Sequence, residues 1–143
     1  MCEELPDPLR RQYARSVCME RRHKILLVDD SKTVLLMEEA LLRMRAQILK
    51  APGGAQALRI AAEEQPDLIL LDVVMPDMNG IETCRLLRGM EVTKSTPIIM
   101  VSTRSDPKSV ESAYAAGATD YVTKPIDFQE LRSKIERHLG AGA

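Results

Sequence analysis

A chain of 143 residues, 45% of them apolar, is sized for one domain with a proper core, which excludes a disordered chain. A net charge of −1, from 20 basic and 21 acidic residues, excludes a broad electrostatic footprint for nucleic acid. One Phe, three Tyr and no Trp leave the core to aliphatic side chains and Met.

The first 24 residues lack the apolar stretch of a secretory signal, and no apolar run is long enough to span a bilayer. Cys2, Cys18 and Cys84 form no CxxC pair, which argues against zinc and for reduced thiols in a cytoplasm. Residues 1–23 read as an extension. Asp7 can cap a helix, Pro8 suits its first position, and Leu9, Tyr13 and Val17 form a narrow stripe. A helix over 8–22 is expected, and it needs a surface to pack on. The rival reading starts translation at Met19. Residues 1–24 hold six of the basic groups and only four of the acidic ones, suiting a solvated helix or a docking surface for an acidic partner.

Ile25–Val28 is a buried parallel strand ending in Asp29 and Asp30. A helix capped by Ser31 is expected to run to about Arg45, with Leu35, Met37, Leu41, Leu42 and Met44 as its apolar positions. Gln47–Ala51 is a weakly signalled strand; Pro52-Gly53-Gly54 turns into a helix over Ala55–Glu64. Leu68–Leu71, the most apolar strand, ends at Asp72, and the loop Val73–Gly80 leads into a helix through Leu87. Thr96-Pro97 opens Ile98–Val101, a strand ending at Ser102. The helix Pro107–Ala116 stops at Gly117, a natural left-handed cap. Asp120–Thr123 is the fifth strand, followed by Lys124-Pro125, whose bond is expected to be cis so that Lys124 aims into the crevice. Asp127-Phe128-Gln129-Glu130 reads as a capping box for a last helix to Leu139.

Five strands in strict alternation with five helices demand an α/β fold, a doubly wound parallel sheet with helices on both faces. Residues 24–140 make that domain, with 141–143 as a tail. Ligands of such folds bind at the carboxyl ends of the strands. There the chain places Asp29, Asp30, Asp72, Ser102 and Lys124. Three carboxylates together need a proton or a cation, and Mg²⁺ suits a site with few protein ligands. An anion arriving there meets that cation, an ammonium and a hydroxyl, which are the parts that stabilise a transferring phosphoryl group. A carboxylate can act as its nucleophile.

Asp29-Asp30 after a strand, Ile69-Leu70-Leu71-Asp72-Val73-Val74-Met75-Pro76-Asp77-Met78-Asn79-Gly80, Ile98-Ile99-Met100-Val101-Ser102 and Tyr121-Val122-Thr123-Lys124-Pro125 together resemble a bacterial two-component response-regulator receiver over residues 24–139. The resemblance implies a flavodoxin-like strand order 2-1-3-4-5. It implies Asp72 as phosphoacceptor, Mg²⁺ held by Asp29, Asp30, Asp72 and the Val74 carbonyl, and Ser102, Lys124 and Tyr121 as switch hydroxyl, phosphate-pairing lysine and moving aromatic. The phosphoryl source would be a histidine kinase or phosphotransfer protein. The output would be a changed grip on a downstream protein or, second, a homodimer through the helix at 107–116, the last strand and the last helix. No enzymatic activity is expected beyond the chain's own phosphorylation and slow dephosphorylation. Thr103 departs from the small residue usual after the switch hydroxyl, and Val74 and Arg104 occupy positions that tune the phosphoryl lifetime.

Two other readings compete. A phosphohydrolase of the haloacid-dehalogenase type needs an Asp-x-Asp that is missing after both Asp29 and Asp72. A non-phosphorylated interaction module on the same fold is expected to lose an acid or the lysine, and here all are present. Nothing that reads as an output domain is found, so the chain is a free-standing receiver or a piece of a longer protein.

Overall fold

Strand residues face alternately into two cores, and that alternation builds the molecule. A computed structural model describes residues 23–75 and 77–139; the helix expected over 8–22 lies outside them. Five parallel strands, β1 (Lys24–Val28), β2 (Gln47–Ala51), β3 (Leu68–Asp72), β4 (Ile98–Ser102) and β5 (Asp120–Thr123), form one sheet in the order β2-β1-β3-β4-β5. The helices are α1 (Lys32–Leu42), α2 (Gly54–Glu64), α3 (Gly80–Gly89), α4 (Pro107–Ala115) and α5 (Phe128–Leu139).

Leu26, Val28, Ile69, Leu71, Ile98 and Met100 face one side of the sheet, where α2, α3 and α4 bring Ala57, Ala61, Cys84, Leu87 and Ala113. Small alanines let those helices sit close to the strands. Ile25, Leu27, Leu68, Leu70, Ile99 and Val101 face the other side, against Leu35 and Leu42 of α1 and Leu131 and Ile135 of α5. Each fully buried aliphatic side chain contributes about 1.5–3 kcal/mol, so the two cores carry the fold. The register keeps the strand ends level: Val28 lies beside Leu71, Asp72 beside Val101 and Ser102 beside Thr123. Asp29, Asp72, Ser102 and Lys124 therefore line one edge of the sheet.

The helix starts follow local chemistry. Ser31 caps α1 by accepting from Val34 N, and Asp106 caps α4 with Pro107 at its first turn. Asp127 accepts from the amides of Gln129 and Glu130 and caps α5 as expected. Glu130 pairs with Lys134. Gly117 has a φ of 109° just past α4, and the Lys124-Pro125 bond is cis, both as expected.

The phase of α1 differs from expectation. Its buried residues are Leu35, Glu38 and Leu42, while Met37 and Met44 are 48% and 80% exposed. An apolar residue stands at nearly every turn position of α1, so the pattern offers no single stripe. The side chains that meet the sheet set the phase, and they include an acid.

Candidate functional site

Asp29, Asp30 and Asp72 each offer a carboxylate oxygen, and these atoms lie within 4.8 Å of one another. Asp29 and Asp72 are buried, and Asp30 is exposed. Asp29 follows β1 directly, and its Oδ1 accepts from Ser31 N at 2.9 Å, the start of α1. The Lys124 ammonium, placed just past β5, lies 3.1 Å from Asp29 Oδ2 and 3.4 Å from Asp72 Oδ1. Burial, then the neighbouring Asp29 carboxylate, pushes the Asp72 carboxyl up, against the pull of Lys124. Burial alone would lower the Lys124 ammonium, but Asp72 and Asp29 outweigh it and raise it. One ammonium paired with two of three carboxylates leaves the cluster short of positive charge, and an oxygen-ligated dication fits such a set.

A further buried acid lies behind the cluster. Glu38 is 2% exposed, on the inner face of α1. Burial first, then Asp29 and Asp72 against Lys124, pushes it up to about 8. Sequence reasoning missed it because apolar residues on several sides of α1 gave the helix no single phase.

The segment after Asp72 wraps tightly. The Val74 side chain is 65% exposed, and its backbone amide is near enough to pull the Asp72 carboxyl down slightly against burial. Gly80 N donates to Val73 O at 2.7 Å, and a Cβ on Gly80 would lie 2.1 Å from the Asp72 carbonyl oxygen. Glycine is required there because the backbones approach so closely.

Ser102 and Tyr121 meet on one residue. The buried Ser102 Oγ accepts from Arg104 N at 3.1 Å, and Tyr121 OH donates to Arg104 O at 2.5 Å. The Tyr121 ring is 8% exposed, so it already lies inside. Thr103 is exposed, and the Arg104 side chain reaches Asp106 at 3.6 Å. No helix among the described residues is long and apolar enough to cross a membrane.

A doubly wound sheet with two acids after β1, a third at the end of β3, a hydroxyl at the end of β4 and a lysine after β5 defines a signalling receiver. The model of the response regulator receiver domain matches residues 25–136, and the chain belongs to that family of two-component proteins. It is 37% identical to Protein PilH of Pseudomonas aeruginosa over 117 residues, covering 81% of this chain and 97% of that one. The chemotaxis protein CheY4 of Vibrio cholerae superposes with a TM-score of 0.79 at 33% identity, covering 82% of this chain and 99% of that one. The receiver domain of a Pseudomonas aeruginosa sensor histidine kinase, solved with a magnesium ion in its active-site cleft, gives 0.78 at 31% identity, covering 83% and 98%.

Proposed function

We propose that this receiver accepts a phosphoryl group on Asp72 from a histidine kinase or phosphotransfer protein, and that the modification changes what the protein binds. The observation that carries this reading is the buried Asp72 carboxylate, 3.4 Å from the Lys124 ammonium and inside a three-carboxylate cluster. Asp29, Asp30, Asp72 and the Val74 carbonyl would hold Mg²⁺, which supplies positive charge to the phosphoryl oxygens when bound.

An Asp72 carboxylate oxygen attacks phosphorus while the donor's nitrogen–phosphorus bond breaks, and the bonding pair returns to the donor imidazole. Lys124, already 3.4 Å from Asp72 Oδ1, pairs with a phosphoryl oxygen. A groove of about 220 Å³ lined by Val34, Met37, Pro125, Ile126 and Phe128 opens beside the site and shares Lys124 with it. That shared lysine makes the groove the place for the phosphodonor's apolar side chains.

The new charge, roughly −1.5 to −2, draws the Ser102 hydroxyl away from Arg104 N. Output follows from the face of α4, β5 and α5, first toward a distinct downstream protein and second toward another copy of the chain. The protein would act in the cytoplasm, with direct contact to neither DNA nor membrane. It would turn over no substrate beyond its own phosphoryl group.

Incubation with acetyl phosphate and Mg²⁺ should add one phosphoryl group by intact-mass measurement, and Asp72→Asn should add none. Uptake by that variant at the wild-type rate would sink the assignment. Asp30→Asn should weaken Mg²⁺ binding by at least about tenfold, because removing one ligand charge forfeits a kilocalorie or more of attraction. A calorimetric titration with unchanged affinity would remove Asp30 from the ligand set.

A further inference from the structure

One helix is capped from outside its own sequence. Gly53 occupies the cap position of α2 and has no side chain to accept an amide hydrogen. The Asp77 carboxylate does it instead: Oδ1 accepts from Gly54 N and Oδ2 from Ala55 N, each at 3.2 Å. Those two amides, Ala55 first, hold the Asp77 carboxyl below its usual range. A Cβ on Gly53 would lie 2.7 Å from Asp77 Oδ1, inside any normal contact. The Gly53 φ of −162° is extended backbone open to any residue, so what glycine provides there is space for the carboxylate.

Asp77 lies between β3 and α3, three residues after Val74. The base of that segment is fastened by Val73 N donating to Val101 O at 3.1 Å and by Gly80 N donating to Val73 O. The Val74 side chain is mostly exposed, whereas Met75 beside it is buried in the core, so Met75 and Asp77 share the anchoring of the segment beyond Val74. Asp77 ties the outer part of the segment to the body of the fold.

We propose that Asp77 is a positioning residue for the cation: by capping α2 across the gap, it holds the segment that presents the Val74 carbonyl. This rests on the reading of Val74 as a ligand given above. Coupling of this kind is reciprocal, so what the cap gives the cation, the cation gives the cap. Mg²⁺ should therefore slow hydrogen exchange at the Gly54 and Ala55 amides, neither of which belongs to the ligand set.

The test is Mg²⁺ titration of the full chain by NMR, with amide exchange read at both residues. Asp77→Ala should weaken Mg²⁺ about tenfold, as loss of a group orienting a metal ligand does, and should abolish the slowing at Gly54 and Ala55. Asp77→Asn keeps an acceptor oxygen without the charge and should recover most of the affinity. Gly53→Ala keeps the charge but displaces the carboxylate and should weaken Mg²⁺ like Asp77→Ala. Wild-type affinity in Asp77→Ala, with Mg²⁺ still bound at Asp29 and Asp30, would overturn the positioning role alone. Equal weakening in the Ala and Asn variants, with Gly53→Ala unaffected, would assign a charge effect and overturn it too. A wild-type protein that bound no Mg²⁺ would overturn both this role and the cation site itself.

Discussion

Glu38→Leu should raise the stability of the metal-free protein at pH 8 by about 3–5 kcal/mol. An acid that ionises near 4.5 in the unfolded chain and only near 8 in the fold is held neutral where water would charge it. Each unit of difference is worth about 1.4 kcal/mol. Folding keeps a proton that the unfolded chain releases, so this group's contribution is complete below pH 4.5 and is lost as pH rises through 8. Denaturant unfolding from pH 5 to 8.5 should show wild-type stability falling with pH and the Leu variant much flatter. Glu38→Gln should flatten the slope as well, with a smaller gain because a buried amide remains. A Leu variant with the wild-type slope would mean that Glu38 ionises freely in the fold. Mg²⁺ should shrink the difference, because it offsets the Asp29 and Asp72 charges that help keep Glu38 protonated.

Arg88→Met should cost about 3 kcal/mol and lower the melting temperature by roughly 10 °C. The guanidinium fork serves two loops at once. Nε donates to Gly117 O at 2.8 Å, Nη1 to Thr93 O and Thr96 O at 3.0 and 2.6 Å, and Nη2 to Thr119 Oγ1 at 3.1 Å. Removing it leaves carbonyls of the α3–β4 and α4–β5 connections without their charged donor. Amides at 93–97 and 117–119 should lose exchange protection first. Arg88→Lys should recover little, since one ammonium cannot span acceptors arranged for a planar fork. Full stability in the Lys variant would show that charge alone, not the fork, joins the loops.

The sheet was legible in the sequence because each aliphatic run stops at a polar residue, and in a parallel sheet those stops share one edge. Asp29, Asp72, Ser102 and Lys124 needed only that rule to be brought together. The Ser31 and Asp127 caps were legible because a cap acts within three residues. Asp77 was not, because it caps a helix 23 positions earlier in the chain, at Gly54. Its one trace is the Gly53-Gly54 pair, which reads equally well as a turn. Glu38 was hidden in a helix with too many apolar residues to show a phase. Arg88 drew no attention in the sequence because its partners are mostly backbone carbonyls, which leave no mark on composition.

The backbone of Arg104 joins the ends of two strands. Its amide donates to Ser102 Oγ and its carbonyl accepts from Tyr121 OH, so the peptide units on either side of a single Cα tie the two side chains together. In this structure both bonds are made at once, and Ser102 and Tyr121 are both buried. Losing the bond from the Arg104 amide to Ser102 costs about 1 kcal/mol. Anything that draws either side chain away therefore works against Arg104, and the loop after β4 is held by the end of β4 and by β5 together.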